Sequence, residues 1–171
     1  MLLNVSYNDR KIKEQIDSEV GPPFSLRDRW KLGGIGSSKL AITHASIDIH
    51  NLLVLDNNSN SCSVELRPKG IIVRFRSLLE TYGLVIPYYK LKVYKGQAQE
   101  YSMYKDHFCI KVAATEKSTH LYFKKLITQK TILGMSLCED AQILVNLSKM
   151  QDTNLLFLSA KVLEGFLNST K

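Results

Sequence analysis

The chain has 171 residues and a mass of 19.4 kDa, which corresponds to about one domain with a core of its own. Hydrophobic residues make up 44% and charged residues 23%, so the composition excludes disorder, low complexity and collagen-like repeats for the chain as a whole. The net charge is +7, and residues 62–125 account for all of it, with twelve Lys and Arg against five Asp and Glu, a difference of seven.

The cysteines and the hydropathy pattern indicate the cellular setting. Cys62, Cys109 and Cys138 lie far apart without metal-ligand spacing, which argues against a disulfide framework and a zinc site. The first residues lack the basic start and long apolar run of a signal peptide. No window approaches the ~18 uninterrupted apolar residues of a membrane-spanning helix. The sequence therefore predicts a reduced, cytoplasmic protein without a metal or cofactor.

Residues 1–38 are predicted to form an extension of helix and loop before the main domain. The helix is indicated by an apolar stripe with a spacing of four residues, formed by Ile12, Ile16 and Val20. Gly21-Pro22-Pro23 ends it, because proline cannot continue a helix. The loop that follows contains Trp30 and the cluster Gly33-Gly34-Ile35-Gly36, whose spacing differs from that of a phosphate-binding P-loop.

Residues 39–150 are predicted to form the main domain. Extended segments are expected over Leu40–Ile49 and Asn51–Leu55. The run of Asp, Asn and Ser at residues 56–61 predicts a turn, because these side chains satisfy nearby backbone groups. The first part of the domain is thus expected to be two strands and a turn.

The central stretch has the clearest period-2 pattern. Val64–Arg67 and Ile71–Arg76 flank Pro68-Lys69-Gly70, which predicts a tight hairpin in which Gly70 is able to take a positive φ. Pro87 predicts a bend before the next strand. Further strands, each with one packed and one solvent-facing side, are predicted at Tyr88–Tyr94, Phe108–Val112 and Leu121–Lys124.

After Lys125 the pattern becomes helical. Ser136-Leu137-Cys138-Glu139 matches a capping box, and the apolar residues that follow predict a helix that closes the main domain. Residues 151–171 are predicted to form a separate C-terminal helix, although the short apolar run at residues 154–159 fits a strand equally well. The expected fold class is therefore mainly β (α+β), an antiparallel barrel or sandwich of six to seven strands closed by a C-terminal helix.

Two segments resemble a known family. Glu65–Phe75, with the sequence ELRPKGIIVRF, and Leu84–Leu91, with the sequence LVIPYYKL, are similar to uncharacterised bacterial proteins with pleckstrin-homology-like (PH-like) domains, in which an Ile-Pro-Tyr step leads into the next strand. The resemblance covers about residues 62–150 and implies a PH-like barrel. It also implies a non-enzymatic binding module or an oligomerising scaffold.

Basic residues of the central stretch are the leading site candidates, since clustered Lys and Arg attract phosphates, anionic membrane surfaces or an acidic protein partner. The predicted anion-binding residues are expected on the solvent-facing side of the sheet: Arg67, Lys69, Arg74, Arg76, Lys90 and Lys92. In PH domains that bind phosphoinositides, a Lys and a basic-x-Arg triplet hold the phosphates. Lys69, Arg74 and Arg76 follow that order across a shorter gap. The alternative is a solvated face that binds nothing, and the lack of an arginine-rich helix argues against nucleic acid.

Two further hypotheses remain beside this non-catalytic module. His44, Ser46, Asp48 and His50 alternate along a predicted strand face, which suggests a small hydrolase or a metal- or ligand-binding enzyme. Neighbours on such a face lie about 7 Å apart, too far for a Ser-His-Asp relay without another strand, so no catalytic or metal residue is assigned. The third hypothesis is a structural homo-oligomer in which residues 1–61 pack onto a neighbouring chain.

Overall fold

A computed structural model describes residues 1–55, 60–96 and 99–135. The chain divides into two compact units, residues 1–131 and 132–171, and the first contains every described strand. In chain order its elements are β1 (Leu2–Asn4), α1 (Arg10–Val20), α2 (Leu26–Lys31), β2 (Leu40–Ala45), α3 (Ile47–Val54), β3 (Ser61–Arg67), β4 (Gly70–Ser77), β5 (Glu80–Pro87), β6 (Lys92–Lys95), β7 (Glu100–Lys105) and β8 (Phe108–Ala113). A helix α4 begins at residue 117 and is described to residue 135.

The strands form one antiparallel sheet, in the order β1-β5-β4-β3-β2-β8-β7-β6. Strand β2 joins its two halves, because Leu40 and Ala41 pair with β3 whereas Ile42, His44 and Ala45 pair with β8. Strands β1 and β6 are the edges, so the sheet is not closed within the described residues. The mainly β, antiparallel prediction is confirmed. The described part of the chain has eight strands, however, where six to seven in a barrel or sandwich were expected.

Helix α1 forms as the sequence predicts. Asp9 is its N-cap, and the carboxylate of Asp9 accepts a hydrogen bond from the backbone N–H of Lys11. Ile16 and Val20 of the predicted stripe are buried against Ile72 and Val85 of the sheet. Residues 1–38 thus supply edge strand β1 and a helix that covers part of one sheet face.

The predicted hairpin is also present, with Pro68 and Lys69 as a two-residue turn between β3 and β4. Gly70 does not use the positive φ that glycine is able to take. A Cβ atom at Gly70 would lie 2.6 Å from Val20 Cγ1 and 2.8 Å from the Cα of Pro87. Glycine is therefore required because α1 and the neighbouring strand approach the backbone closely.

Two predicted strands are helical in the structure. Ile47–Val54 is the helix α3, in which Ile49 and Leu53 are buried four residues apart, so the strand predictions beyond Ala45 are wrong. Leu121–Lys124 lies in α4, whose buried Phe123 and Leu126 follow a helical spacing of three. Short apolar segments fit both periods, and packing decided between them.

The bend at Pro87 is confirmed, but the strand predicted directly after it begins only at Lys92. Tyr88, Tyr89 and Lys90 form a turn, in which Tyr88 is buried and Tyr89 is exposed. The predicted capping box at Ser136–Glu139, the helix at 151–171 and most of the turn at 56–61 lie outside the described residues. Among the described helices, none has the length and apolar character needed to cross a bilayer.

Candidate anion-binding groove

Strands β3, β4 and β5 carry the face on which the predicted arginines lie. Ile72, Arg74 and Arg76 share this face of β4, because side chains two residues apart on a strand point the same way. The strand register places Ser63 beside Arg74 and Thr81 beside Arg76. Helix α1 packs over Ile72, whereas the Arg74 side chain is 41% exposed and Arg76 is also exposed. The arginine end of this face is therefore accessible.

A cavity of about 690 Å³ lies on the accessible end of the face, and we call it the basic groove. Three cationic side chains line it, Lys39, Arg74 and Arg76. Ser61 and Ser63 of β3 lie between the lysine and the arginines, and their short side chains make the surface concave. The other lining residues are Cys62, Phe75, Leu78, Leu79 and Thr81.

Glu65 balances part of the positive charge beside the groove. Its Oε2 atom lies 2.8 Å from Nη1 of Arg74, and its Oε1 atom lies 2.8 Å from Nε of Arg67. Arg67 also reaches Asp17 of α1, with 3.3 Å between Nη1 and Oδ1. The Arg67 side chain is only 8% exposed. Arg67 therefore joins α1 to β3, and its charge is balanced inside the protein.

The positive charges of Arg76 and Lys39 are not balanced by any acidic side chain among the described residues. Within residues 1–55, 60–96 and 99–135, neither side chain forms an ion pair. Lys69 is exposed as well, but it lies in the β3–β4 turn, where its backbone N–H donates to the carbonyl of Val20 at 2.9 Å. The structure thus brings Arg74 and Arg76 together, adds Lys39, and leaves Lys69 outside the lining of the groove.

The predicted residues Lys90 and Lys92 lie elsewhere, at the β6 edge of the sheet. They line a separate cavity of about 490 Å³ with Tyr89, Tyr94, Tyr104 and Asp106. Lys90 is paired with Asp106 at 3.7 Å between Nζ and Oδ2. The six predicted anion-binding residues therefore do not line one cavity, because Arg74 and Arg76 line the basic groove whereas Lys90 and Lys92 line this separate one.

The residues of the enzyme hypothesis do not share a strand face. His44 lies on β2, whereas Asp48 and His50 lie in α3. Asp48 instead approaches His107, with 3.6 Å between Oδ2 and Nε2, and both side chains are more than half exposed. The described residues contain no group of three side chains arranged to hold a metal ion. The strand face on which the hypothesis depended is therefore absent.

Two exposed leucines form the tip of the β4–β5 hairpin. Ser77 pairs with Glu80, so Leu78 and Leu79 are the two-residue turn. Leu79 is 90% exposed, and Leu78 is 56% exposed. Leu78 has a φ of 55°, a conformation that costs a residue with a side chain roughly 1–2 kcal/mol and that Gly or Asn usually occupies. Sequence reasoning missed this turn because leucine gives no turn signal, and only the register of the flanking strands shows it.

The lining of the basic groove combines positive charge with hydroxyl groups and one cysteine thiol among its described residues. Guanidinium, ammonium and hydroxyl groups are the donors that bind phosphate or carboxylate oxygens. Cys62 lies in the wall, but burial raises the pKa of its thiol to about 12, so the thiol stays protonated near neutral pH.

No protein-family model, curated protein or solved structure matches this chain.

Proposed function

We propose that this chain is a non-catalytic interaction module that binds an anionic group in the basic groove. The observation that carries the proposal is the position of Arg76 and Lys39, two cationic side chains without an ion-pair partner among the described residues, on opposite sides of a concave surface. Two like charges at one cavity raise the local potential and favour an oxyanion as the occupant.

Arg74 supports the proposal because it is already held in position. Its pair with Glu65 at 2.8 Å limits the freedom of the guanidinium, yet the side chain remains 41% exposed. A donor that is ordered before binding loses little conformational entropy when a ligand arrives. Arg74 therefore positions donors at the groove, while Arg76 and Lys39 supply the excess charge.

The PH-like resemblance of residues 62–150 stays a prediction, as does the cytoplasmic location. The basic groove is formed by Lys39 and by described residues of β3, β4 and the β4–β5 hairpin, whichever fold family they belong to. An interaction module of this kind needs only an accessible, complementary surface, and function is carried by such a site more than by the fold around it.

A titration of the isotope-labelled protein with tripolyphosphate at low ionic strength tests the proposal. We expect NMR shift changes at Ser61, Ser63 and residues 74–81, and binding that weakens as salt is added. The Arg74→Gln/Arg76→Gln variant should bind at least about tenfold more weakly, because two charge-assisted hydrogen bonds are lost.

The matched control is Lys90→Ala/Lys92→Ala, which removes the same charge from the β6 edge. It should bind tripolyphosphate like the wild type. If this control loses binding while the arginine variant keeps it, the anion site is the β6 cavity and the proposal for the basic groove is overturned. Circular dichroism of each variant establishes that the fold is retained.

A further inference from the structure

The end of the sheet next to the basic groove carries more exposed apolar surface than the hairpin tip alone. The hydroxyl of Ser77, at the end of β4, donates a hydrogen bond to the carbonyl of Leu52 in α3. The last turn of α3 therefore lies beside the β4–β5 hairpin. The residues that end α3, Val54 and Leu55, are each 61% exposed. Two separate elements thus bring aliphatic side chains to the same end of the molecule.

The charged and apolar parts of this end adjoin one another in a fixed order. Leu78 and Leu79 line the same cavity as Arg74, Arg76 and Lys39. Arg76 lies one residue before Ser77, so the cationic groups begin directly behind the apolar tip. Along the β4–β5 hairpin, the tip lies beyond Arg74 and Arg76, because Leu78 and Leu79 form the turn that ends these strands.

We infer that the anionic partner of the basic groove is a lipid bilayer, in which the Leu78–Leu79 tip inserts among the acyl chains while Arg74, Arg76 and Lys39 contact headgroup phosphates. This inference rests on the proposed function and names its partner class. An anionic bilayer presents phosphates above hydrocarbon, which is the same order of charged and apolar layers.

Other occupants fit these features less well. An acidic protein segment complements the arginines but leaves unexplained two adjoining leucines at the hairpin turn, of which Leu79 is 90% exposed. A second copy of the chain, docked through the same end in a two-fold dimer, would set arginines near arginines, because such an interface pairs a patch with itself. A bilayer accounts for both the exposed leucines of the tip and the cations of the basic groove.

Vesicle cosedimentation tests the inference with the full chain. Wild-type protein should bind phosphatidylcholine vesicles that contain about one third phosphatidylserine, and it should not bind phosphatidylcholine alone. Leu79→Ser should weaken vesicle binding about tenfold, because one leucine side chain no longer enters hydrocarbon. Leu121→Ser is the matched control, because Leu121 is also an exposed leucine, 67% exposed on α4. This variant should bind vesicles like the wild type.

The tripolyphosphate titration separates the two proposals. Leu79→Ser should bind tripolyphosphate normally, whereas Arg74→Gln/Arg76→Gln should lose both ligands. If the wild type binds tripolyphosphate in the groove but no vesicles, the lipid inference is overturned and the proposed function stands. If it binds neither, both are overturned.

Insertion itself has a direct readout, because Trp30 is the single tryptophan of the sequence. Leu79→Trp in a Trp30→Phe background should show a blue-shifted emission with anionic vesicles and quenching by brominated acyl chains. Vesicle binding without a shift would mean that the contact is electrostatic only and would overturn insertion. Sedimentation velocity covers the remaining case, since a wild-type dimer that Leu79→Ser dissociates would identify a second copy as the occupant and overturn the inference.

Discussion

At the scale of single residues, two buried tyrosines show how differently one hydroxyl group affects stability. The Tyr122 hydroxyl donates to the carbonyl of Val64 at 2.7 Å and to that of Ile35 at 3.3 Å. It thereby connects α4 to β3 and to the segment that precedes β2. The Tyr88 hydroxyl is buried and has no hydrogen-bond partner within the described residues. Both side chains are almost completely buried, so packing losses are similar and the hydroxyl environment distinguishes them.

Tyr122→Phe should lower the free energy of unfolding by about 1–2 kcal/mol, because a buried, satisfied donor is removed. Tyr88→Phe should leave that free energy unchanged or raise it by about 1 kcal/mol, because an unsatisfied buried hydroxyl disappears. Urea unfolding of the two variants and the wild type measures both values. Equal destabilisation by the two changes would contradict the hydrogen bonding described for Tyr122.

At the scale of elements, Arg67 holds α1 against the sheet. Its guanidinium bridges Asp17 of the helix and Glu65 of β3, and it is only 8% exposed. The Arg10–Glu14 pair on α1 is different, because those side chains are 91% and 63% exposed. Exposed pairs contribute little to stability, whereas a buried charge that loses its partner is costly.

Glu65→Gln should destabilise the protein by about 2–3 kcal/mol, since Arg67 is left buried with Asp17 alone. Glu14→Gln, which breaks the exposed pair, should change stability by less than about 0.5 kcal/mol. Thermal and urea unfolding of both variants provides the comparison. A loss below about 0.5 kcal/mol for Glu65→Gln would show that the network around Arg67 does not stabilise the docking of α1.

The elements also show how far local patterns predict structure. The α1 stripe and the β3–β4 hairpin were predictable because Asp9, Gly21 and Pro68-Lys69 mark their ends with residues of defined conformational preference. Residues 47–54 were mistaken for strand because HASIDIH alternates polar and apolar side chains, although Ile49 and Leu53 are the pair that is buried. Helix α4 was misassigned in the same way at Tyr122 and Phe123. Local alternation does not reveal which face a neighbour covers.

At the scale of the whole molecule, the order of strands in the sheet places on different strands the basic residues that the sequence suggested would share one face. Arg74 and Arg76 were predictable neighbours because both lie on one strand. Lys90 and Lys92 were expected beside them, but β6 lies at the opposite edge of the sheet order from β1 and β5. Lys39 was absent from the predicted set because its proximity depends on β2 pairing with β3, a contact between distant segments. Pairings of this kind are fixed by tertiary packing and not by local residue preference.

Buried acids determine how the molecule should respond to alkaline pH. Burial raises the pKa of the Cys62 thiol from about 9 to about 12, and it raises the pKa of the Tyr88 and Tyr122 hydroxyls above their usual range. Each group holds its proton more tightly in the folded state than in the unfolded chain. Their contribution to stability is complete below about pH 9 and is lost as the pH rises towards the folded values.

Stability should therefore fall with increasing pH above about 9, by up to about 1.4 kcal/mol per pH unit for each group. Urea midpoints measured from about pH 7 to about pH 11 test this slope. Cys62→Ala should reduce the slope between about pH 9 and pH 11, since one of the retained protons is gone. A midpoint that stays constant through this range would contradict the burial of these acids.

The pairing of β1 with β5 means that β1 is synthesised well before the strand with which it pairs. Leu2 pairs with Leu84, so β1 leaves the ribosome more than eighty residues before its partner strand. At translation rates of about 5–20 residues per second, that partner emerges roughly 4–16 s afterwards. The apolar stripe of α1 also remains unpacked over this interval, because its packing partners Ile72 and Val85 are synthesised later. Nascent chains of this protein therefore pass through a period in which the apolar side chains of β1 and α1 are available to chaperones and proteases.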